Sequence, residues 1–444
     1  MNYISNIAAI ACLTVVSVGI TGCSGGGSGG ASASGSVSTT AKVQSVDANE
    51  TTTRKALVMF FEEGGIGHTA ARVSSSSEKG MKLPDNVATR LAAKMKQIKI
   101  SDAILGKVKE ARSSNDSGSI SQTYECAVSG TMTLDSSWEE NDAPNGGDST
   151  ETNKLTFNEC VDTQEDIIFE ALDVEASGTQ ESVLFHYNGT IGYTEHRQGS
   201  DIGEESSWEM SAGNLIEEGK TLDGKLVESF TMDGILKERD YYTGNSTRGW
   251  EIGANLNVEF KVYDENATVR DRSKWEADNF DLYSKHSKVQ DRLTMNGYIS
   301  STPHIDSDTA YLYGEGFVRT FAAEEGMVED DTNEIIPEFS VAVEGVFGAD
   351  CLGGSLAFST PSTWLVDEDM PDTDDDTDEN GTTPYSGTTV INGANASEST
   401  VQFMHNDVPE AYGTITTDGT ASTYASFPKM VEDIRCEEHL GWFW

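Results

Sequence analysis

The pattern of apolar and polar positions divides the chain into three regimes. Residues 7–20, IAAIACLTVVSVGI, form an unbroken apolar run. It is too short to cross a hydrocarbon core of about 30 Å as a helix and has the length of a signal-peptide core. Between residues 54 and 112 the apolar positions recur near helical spacing. KALVMFFEE (55–63) and ATRLAAKMKQIKISDAILGKVKEA (88–111) predict helices, the second carrying Val87, Leu91, Met95, Ile98, Leu105 and Val108 on one stripe, with Pro84-Asp85 upstream as a start signal. From about residue 120 the chain changes to short alternating runs separated by Gly, Asn and Asp, the signature of strands and hairpins.

Within that last regime an apolar-x-Gly or Asx-Gly unit recurs: SGTMTL (129–134), YNGTIGY (187–193), LDGKLVE (222–228), MDGILKE (232–238), MNGYIS (295–300), VEGVFG (343–348), INGANA (391–396) and YGTITTDG (412–419). The units are unevenly spaced, which excludes a solenoid of fixed period and fits an antiparallel meander. Trp-Glu pairs recur at residues 138, 208, 250 and 275. Adjacent strand residues face opposite sides, so each pair can bury Trp and leave Glu in water. Stacking of those tryptophans on sugar rings is the competing use.

The expected fold is all-β: a large antiparallel meander, either an open sheet or a barrel-like or sandwich body, preceded by a short helical segment. The expected divisions are a signal peptide over 1–22, a Gly/Ser-rich tether over 23–53, a basic helical segment over 54–118, an antiparallel β body over 119–350, and a C-terminal β region over 351–444 with an acidic loop at 367–380.

Charge sharpens this picture. The 444 residues carry 74 Asp and Glu against 30 Lys and Arg, a formal charge of −44. Such a field repels nucleic acid, which is excluded as a partner, and anionic lipid head groups as well. The basic residues are segregated: residues 54–112 hold 12 of the 30 against 6 acids, so that segment is +6 and the remainder −50. A basic amphipathic helix there can lie on a membrane. The reading favoured by base rate is that its stripe packs on the acidic body and its lysines offset that body's charge.

Ile20-Thr21-Gly22-Cys23 ends the apolar run and resembles the lipobox of bacterial lipoproteins. The resemblance implies diacylation of Cys23 and anchoring in a membrane. Ser24 in place of Asp resembles the outer-membrane sorting choice of Gram-negative lipoproteins. The n-region MNYISN lacks Lys and Arg and leaves the positive charge to the α-amino group. The tether that follows spans roughly 30 Å as a flexible coil, holding the acidic body away from the bilayer.

Four cysteines remain beyond Cys12 and Cys23: Cys126, Cys160, Cys351 and Cys436. Outside the cytoplasm an even count implies disulfides with three connectivities, and proximity favours Cys126–Cys160 and Cys351–Cys436. A hairpin register placing Cys126 opposite Cys160 pairs apolar with polar positions. A bulge, or Cys160 lying past the strand end, relieves the conflict.

The lipobox, the tether, CAVSGTMT (126–133) closed by LTFNEC (155–160), and CLGGSLAFST (351–360) followed by SGTTVINGANASESTVQF (386–403) together are similar to a group of β-rich outer-membrane lipoproteins of proteobacteria with no assigned activity. That resemblance implies an envelope β-protein and transfers no catalytic residue. In such proteins a further Cys is expected just before the SGT segment, where Pro384-Tyr385 stands here, so Cys351 either reaches Cys436 or stays free.

No G-x-S-x-G, H-E-x-x-H, Walker or G-x-G-x-x-G motif occurs, and the seven histidines lack ligand spacing. No catalytic residue and no enzymatic activity are assigned. Asp376, Asp378 and Asn380 followed by Gly381 reproduce the first half of an EF-hand-type calcium loop. The twelfth position is Gly387 rather than Glu, so a solvated acidic loop competes with a weak Ca²⁺ site, the one cofactor considered. The C-terminal GWFW resembles the aromatic end of membrane-barrel strands. Too many outward strand positions are charged for an integral barrel.

The expected protein is therefore an exported, lipid-anchored outer-membrane protein, facing the periplasm or the surface, with a non-catalytic structural or binding role toward divalent cations or a surface polymer. The alternatives are a periplasmic carrier of a lipid-like ligand and a surface glycan-binding adhesin or hydrolase.

Overall fold

The computed structural model describes residues 43–61, 117–143, 146–163, 183–200, 203–243, 247–287, 290–328, 335–367, 383–404, 412–434 and 436. Cys23, the helix expected over 88–111, the calcium-loop residues Asp376, Asp378 and Asn380, and the C-terminal GWFW lie outside these. Helix α1 (Glu50–Phe61) precedes the sheet. The sheet begins with β1 (Ser117–Glu125), β2 (Ser129–Ala143), β3 (Gly146–Thr163), β4 (Val183–Ser200), β5 (Gly203–Thr221), β6 (Leu226–Thr243), β7 (Thr247–Tyr263) and β8 (Val269–His286). It continues through β9 (Gln290–Thr302), β10 (Ala310–Val328), β11 (Ile335–Ala349), β12 (Gly354–Asp367), β13 (Thr383–Asn392), β14 (Glu398–Phe403), β15 (Gly413–Thr417) and β16 (Thr420–Tyr424), followed by the short helix α2 (Phe427–Val431).

All sixteen strands belong to one sheet in sequence order, each antiparallel to the next. The all-β meander read from the sequence is what the chain forms. Strand β11 pairs with β12 on both sides of a register shift between Val341 and Gly345, across the division placed at residue 350. A sheet of this width curls to bury its apolar face, and the buried residues form one cluster reaching from Met132 on β2 to Ile415 on β15. The face carrying that cluster is here called inner. The edge strand β1 is short and polar beside its 15-residue neighbour, which blunts one free edge.

The strands are longer than the short runs in the sequence suggested, reaching 19 residues on β5 and β10. The recurring Gly units explain the difference. Five of them sit inside strands, where they meet a bulge on the neighbouring strand. Gly130, Gly189, Gly234, Gly297 and Gly345 all have positive φ, as does Gly387 on β13. A Cβ on Gly189 would lie 2.2 Å from the Asn214 carbonyl oxygen, and one on Gly234 would lie 2.0 Å from that of Asn255. Extra residues on β3, β5, β8 and β10 adopt positive φ at Glu159, Asn214, Asn279 and Gly316. These bulges form a belt across the sheet, and bulges increase local bend and twist.

The belt also changes which positions face inward. On β8 the buried set is Ser273, Trp275 and Ala277 on one side of Asn279, then Phe280, Leu282 and Ser284 on the other. On β5 it is Met210 and Ala212, then Leu215, Glu217 and Thr221. The inserted residue shifts the period-2 phase by one. The pairing of β2 with β3 shows the same device: Met132 faces Phe157 and Leu134 faces Leu155, with a register shift between Ser129 and Thr131. The bulge resolves the mixed pairing that the cysteine register implied.

Helix α1 enters the curl beside the β12–β13 side of the sheet. Val46 donates its N–H to the Ser355 carbonyl at 3.1 Å, and the Ser355 N–H donates to Gln44 at 2.9 Å. The chain is thus engaged from Val43 onward, ahead of residue 53, where the tether was expected to end. Asn49 caps the helix: its Oδ1 accepts from the Thr52 N–H at 3.1 Å while Thr52 Oγ1 accepts from the Asn49 N–H at 3.0 Å. The last five residues, Leu57 to Phe61, are all buried, as expected of a helix surrounded by core. Phe60 packs on Phe317, Phe347 and Phe358, and Phe61 on Trp364 and Phe427, with centroids 4.8–6.0 Å apart.

Candidate functional site

The structure brings the cysteines together in the two favoured pairs, with Cα–Cα distances of 5.6 Å for Cys126–Cys160 and 5.5 Å for Cys351–Cys436. The second pair clasps α1. Lys55 donates its Nζ to the Cys351 carbonyl at 2.7 Å, and Arg54 donates Nε to the Met430 carbonyl at 2.6 Å. Glu50 accepts from Ser422 Oγ at 2.7 Å and from Tyr424 Oη at 2.5 Å. These two hydroxyls hold its carboxyl below the usual range, with the Tyr424 contribution the larger. Among the described residues no group of three His, Cys, Asp or Glu side chains has the arrangement of a metal site.

The Trp-Glu pairs divide into two kinds. Trp138 and Trp275 are core residues. Trp208 and Trp250 are half-buried and converge on one carboxylate: Trp208 Nε1 donates to Glu238 Oε2 at 3.0 Å, and Trp250 Nε1 donates to Glu238 Oε1 at 2.8 Å. Register places Glu238 between Trp208 on β5 and Ile252 on β7, so all three face inward. Desolvation raises the Glu238 pKa, and the two indole donors oppose that shift in part. Tyr193 stacks on Trp208 with centroids 6.4 Å apart. Both indoles are thereby fixed in the wall: the favoured reading buried these tryptophans, sugar stacking was the competing use, and Trp208 and Trp250 form a clamp on Glu238.

The inner face of the same strand halves carries further polar groups. Arg248 pairs with Asp240 at 3.1 Å and His286 with Asp291. Arg319 is buried, and desolvation lowers its pKa to about 10. On the adjoining residues of these strands the outer face has a different organisation. Rows of facing residues cross the sheet, one running Thr150, His196, Ser207, Arg239, Glu251 and Tyr283, the next Thr194, Glu209, Lys237, Gly253 and Asp281.

A half-open groove of about 400 Å³ runs along these rows, lined in part by Thr194, His196, Ser207, Lys237, Arg239 and Glu251. Its two cations, Lys237 and Arg239, are paired in advance. Arg239 grips Glu205 with two hydrogen bonds of 2.9 Å each, and Glu251 lies 3.9 Å from Arg239 and 3.6 Å from Lys237. His196 Nδ1 is 3.0 Å from Thr150 Oγ1. Two glycines of β7 serve as troughs: the Tyr241 ring crosses Gly249 and the Lys237 stem crosses Gly253, where a Cβ would collide with either side chain. Tyr241 Oη reaches Tyr283 Oη at 2.5 Å. Asp281 is half-buried, and desolvation raises its pKa, with Glu251 adding to the shift and Lys237 opposing it.

With this geometry in view, comparison with protein-family models and with curated protein sequences finds no match to the chain. The groove was missed in the sequence because its residues come from four strands. The signal present was the pair Gly249 and Gly253, two outward-facing glycines on one strand with bulky partners on the next.

Elsewhere the outer face is a lattice of same-strand ion pairs: Lys220 with Glu218 at 2.6 Å, Lys261 with Glu259 at 2.5 Å, and Lys274 with Glu276 at 2.5 Å. A barrel strand facing lipid carries an apolar band at such positions.

Proposed function

We propose that the chain is an exported envelope protein, anchored through Cys23, whose β body stands in water and serves a binding role. The observation that carries this reading is the charged outer face. Charged side chains on a lipid-facing strand cost about 2–4 kcal/mol each at mid-bilayer for Lys or Arg, and β5, β7 and β8 all carry Lys-Glu pairs there. Attachment then falls to the acylated N-terminus rather than to the strands. In favour of a binding role rather than a lipid-carrying one, Phe60 and Phe61 of α1 pack on inner-face aromatic rings of β10, β11, β12 and β14, where an acyl chain would otherwise lie.

Replacing Cys23 by Ser tests the reading in cells. The account expects the parent chain in the outer-membrane fraction and the Cys23→Ser chain in the soluble periplasmic fraction. A Cys23→Ser chain that stays membrane-embedded after carbonate extraction, still folded, contradicts it. Protease added to intact cells then assigns the body to the surface if it is digested, or to the periplasm if it is protected.

A further inference from the structure

We propose that the outer-face groove of β4 to β7 is a binding site for an uncharged sugar, an assignment that rests on the binding role argued above. Four observations converge on that ligand class. The floor of the groove is notched at Ser207, a small side chain set by register between His196 and Arg239. The hydroxyl there, and that of Thr194 in the same lining, which also shares a hydrogen bond with Thr152 Oγ1 at 3.2 Å, supply groups that both donate and accept.

Both cations bounding the notch are already held by carboxylates. Arg239 and Lys237 sit among Glu205, Glu209 and Glu251, and the pairs made with Glu205 and Glu251 are 2.9–3.9 Å apart. An anion must displace Glu205 or Glu251 from the guanidinium and work against the chain's charge of −44. A cation meets Lys237 and Arg239. A sugar hydroxyl is donor and acceptor at once, so it can bridge neighbouring carboxylates and guanidinium protons without breaking either pair.

An aromatic face lies next to these polar groups. Tyr241 lies across Gly249 and is tied by its hydroxyl to Tyr283, so its ring is spread over the sheet surface and remains half-buried rather than enclosed. The guanidinium of its neighbour Arg239 lies over the ring, 5.3 Å from the centroid. The ring edge and the planar guanidinium above it together offer C–H and hydrogen-bonding groups at the rim of the groove to the C–H bonds and equatorial hydroxyls of a pyranose. The groove volume of about 400 Å³ lies toward the small end of ligand pockets, roughly 300–1,000 Å³, and fits one or two rings.

Saturation-transfer NMR on the full chain tests the assignment, with maltose, cellobiose and N,N′-diacetylchitobiose as neutral probes and glucose 6-phosphate as the charged comparison. The expected result is transfer to the ring protons of at least one neutral probe, at least fivefold above that to glucose 6-phosphate. It should fall at least tenfold in Ser207→Trp, which fills the notch, and in Tyr241→Leu, which removes the ring while still covering Gly249. Unchanged melting temperatures show that both variants fold. The assignment is overturned if no neutral probe receives saturation, if glucose 6-phosphate receives more, or if the signal survives in both folded variants. The Cys23→Ser fractionation reads anchoring independently, so a sugar-negative chain that fractionates as expected removes this ligand and leaves the envelope reading standing.

Discussion

Asp233 on β6 accepts a hydrogen bond from the backbone N–H of Asn214 on β5 at 2.8 Å. Asn214 is the inserted residue of a bulge, held at φ 47°, and its N–H has lost its ladder partner to the insertion. The Asx side chain replaces that partner, and the next residue, Gly234, makes room for the neighbouring strand on the other side. Asn188 does the same for the Glu159 N–H at 2.8 Å, and Asn296 for the Gly316 N–H at 2.7 Å. Each of these three mid-strand Asx-Gly units thus satisfies one bulge and admits the backbone of an adjacent strand. The belt that results bends and twists the sixteen-stranded sheet, whose C-terminal strands pack on α1.

This relationship predicts that Gly234→Ala destabilises the fold by about 2–4 kcal/mol, since it combines a φ of 119° with a Cβ 2.0 Å from a backbone oxygen. Gly199→Ala, whose nearest neighbour atoms lie at 3.8 Å, is expected to stay within about 0.5 kcal/mol of the parent. Urea unfolding of the two variants separates the cases, and equal midpoints contradict the belt.

The Glu238 clamp predicts a pH dependence of definite sign. Burial raises its folded-state pKa above the ordinary 4.5, so the folded chain holds this proton more tightly than the unfolded chain. The stabilisation is fully present below pH 4.5 and is lost as pH rises through the folded-state value. Glu238→Gln therefore flattens the fall in melting temperature on going upward from pH 4.5. It also removes one indole acceptor and shifts the tryptophan fluorescence. A Glu238→Gln chain with the parent's pH profile counts against the clamp.

The clasp at α1 predicts that Cys351→Ser with Cys436→Ser costs more than the matching pair of changes at Cys126 and Cys160. The loops closed are 85 and 34 residues apart in sequence, and the chain-entropy relation gives about 4.6 and 3.8 kcal/mol. The first pair also releases Lys55 from its place beside Cys351. Calorimetry showing the opposite order contradicts the clasp.

Charge predicts that added salt stabilises the body. At −44 the self-repulsion is screened within about 3 Å at molar ionic strength, so the melting temperature should rise between 20 mM and 1 M sodium chloride. A flat response contradicts a repulsion-limited fold.

Much of the architecture was legible in the sequence. Alternation gave the meander, and the mixed pairing of a Cys126–Cys160 register left a bulge as one of two ways out, while its position at Glu159 opposite Gly130 was not legible. The length of the strands was not legible, because Asx-Gly reads locally as a turn and here the same two residues serve a bulge in mid-strand. The phase change at Asn279 on β8 hid the alternation in the same way. At the candidate site, Trp208 and Trp250 stood out while the groove did not. Indole clamping by Glu238 joins three strands, and the register that brings His196, Ser207 and Arg239 into one row is set by hairpins whose pairing no short window contains. Helix α1 begins at Glu50 rather than near residue 55 because the Asn49–Thr52 cap sits in a stretch whose Ser and Thr content resembles tether.

The most direct test of the central claim is intact-mass and peptide mass spectrometry of the mature N-terminus from the outer-membrane fraction. The account predicts a chain beginning at Cys23 and carrying a thioether-linked diacylglycerol on Sγ. A mature chain from that fraction that begins elsewhere, or begins at an unmodified Cys23, contradicts it.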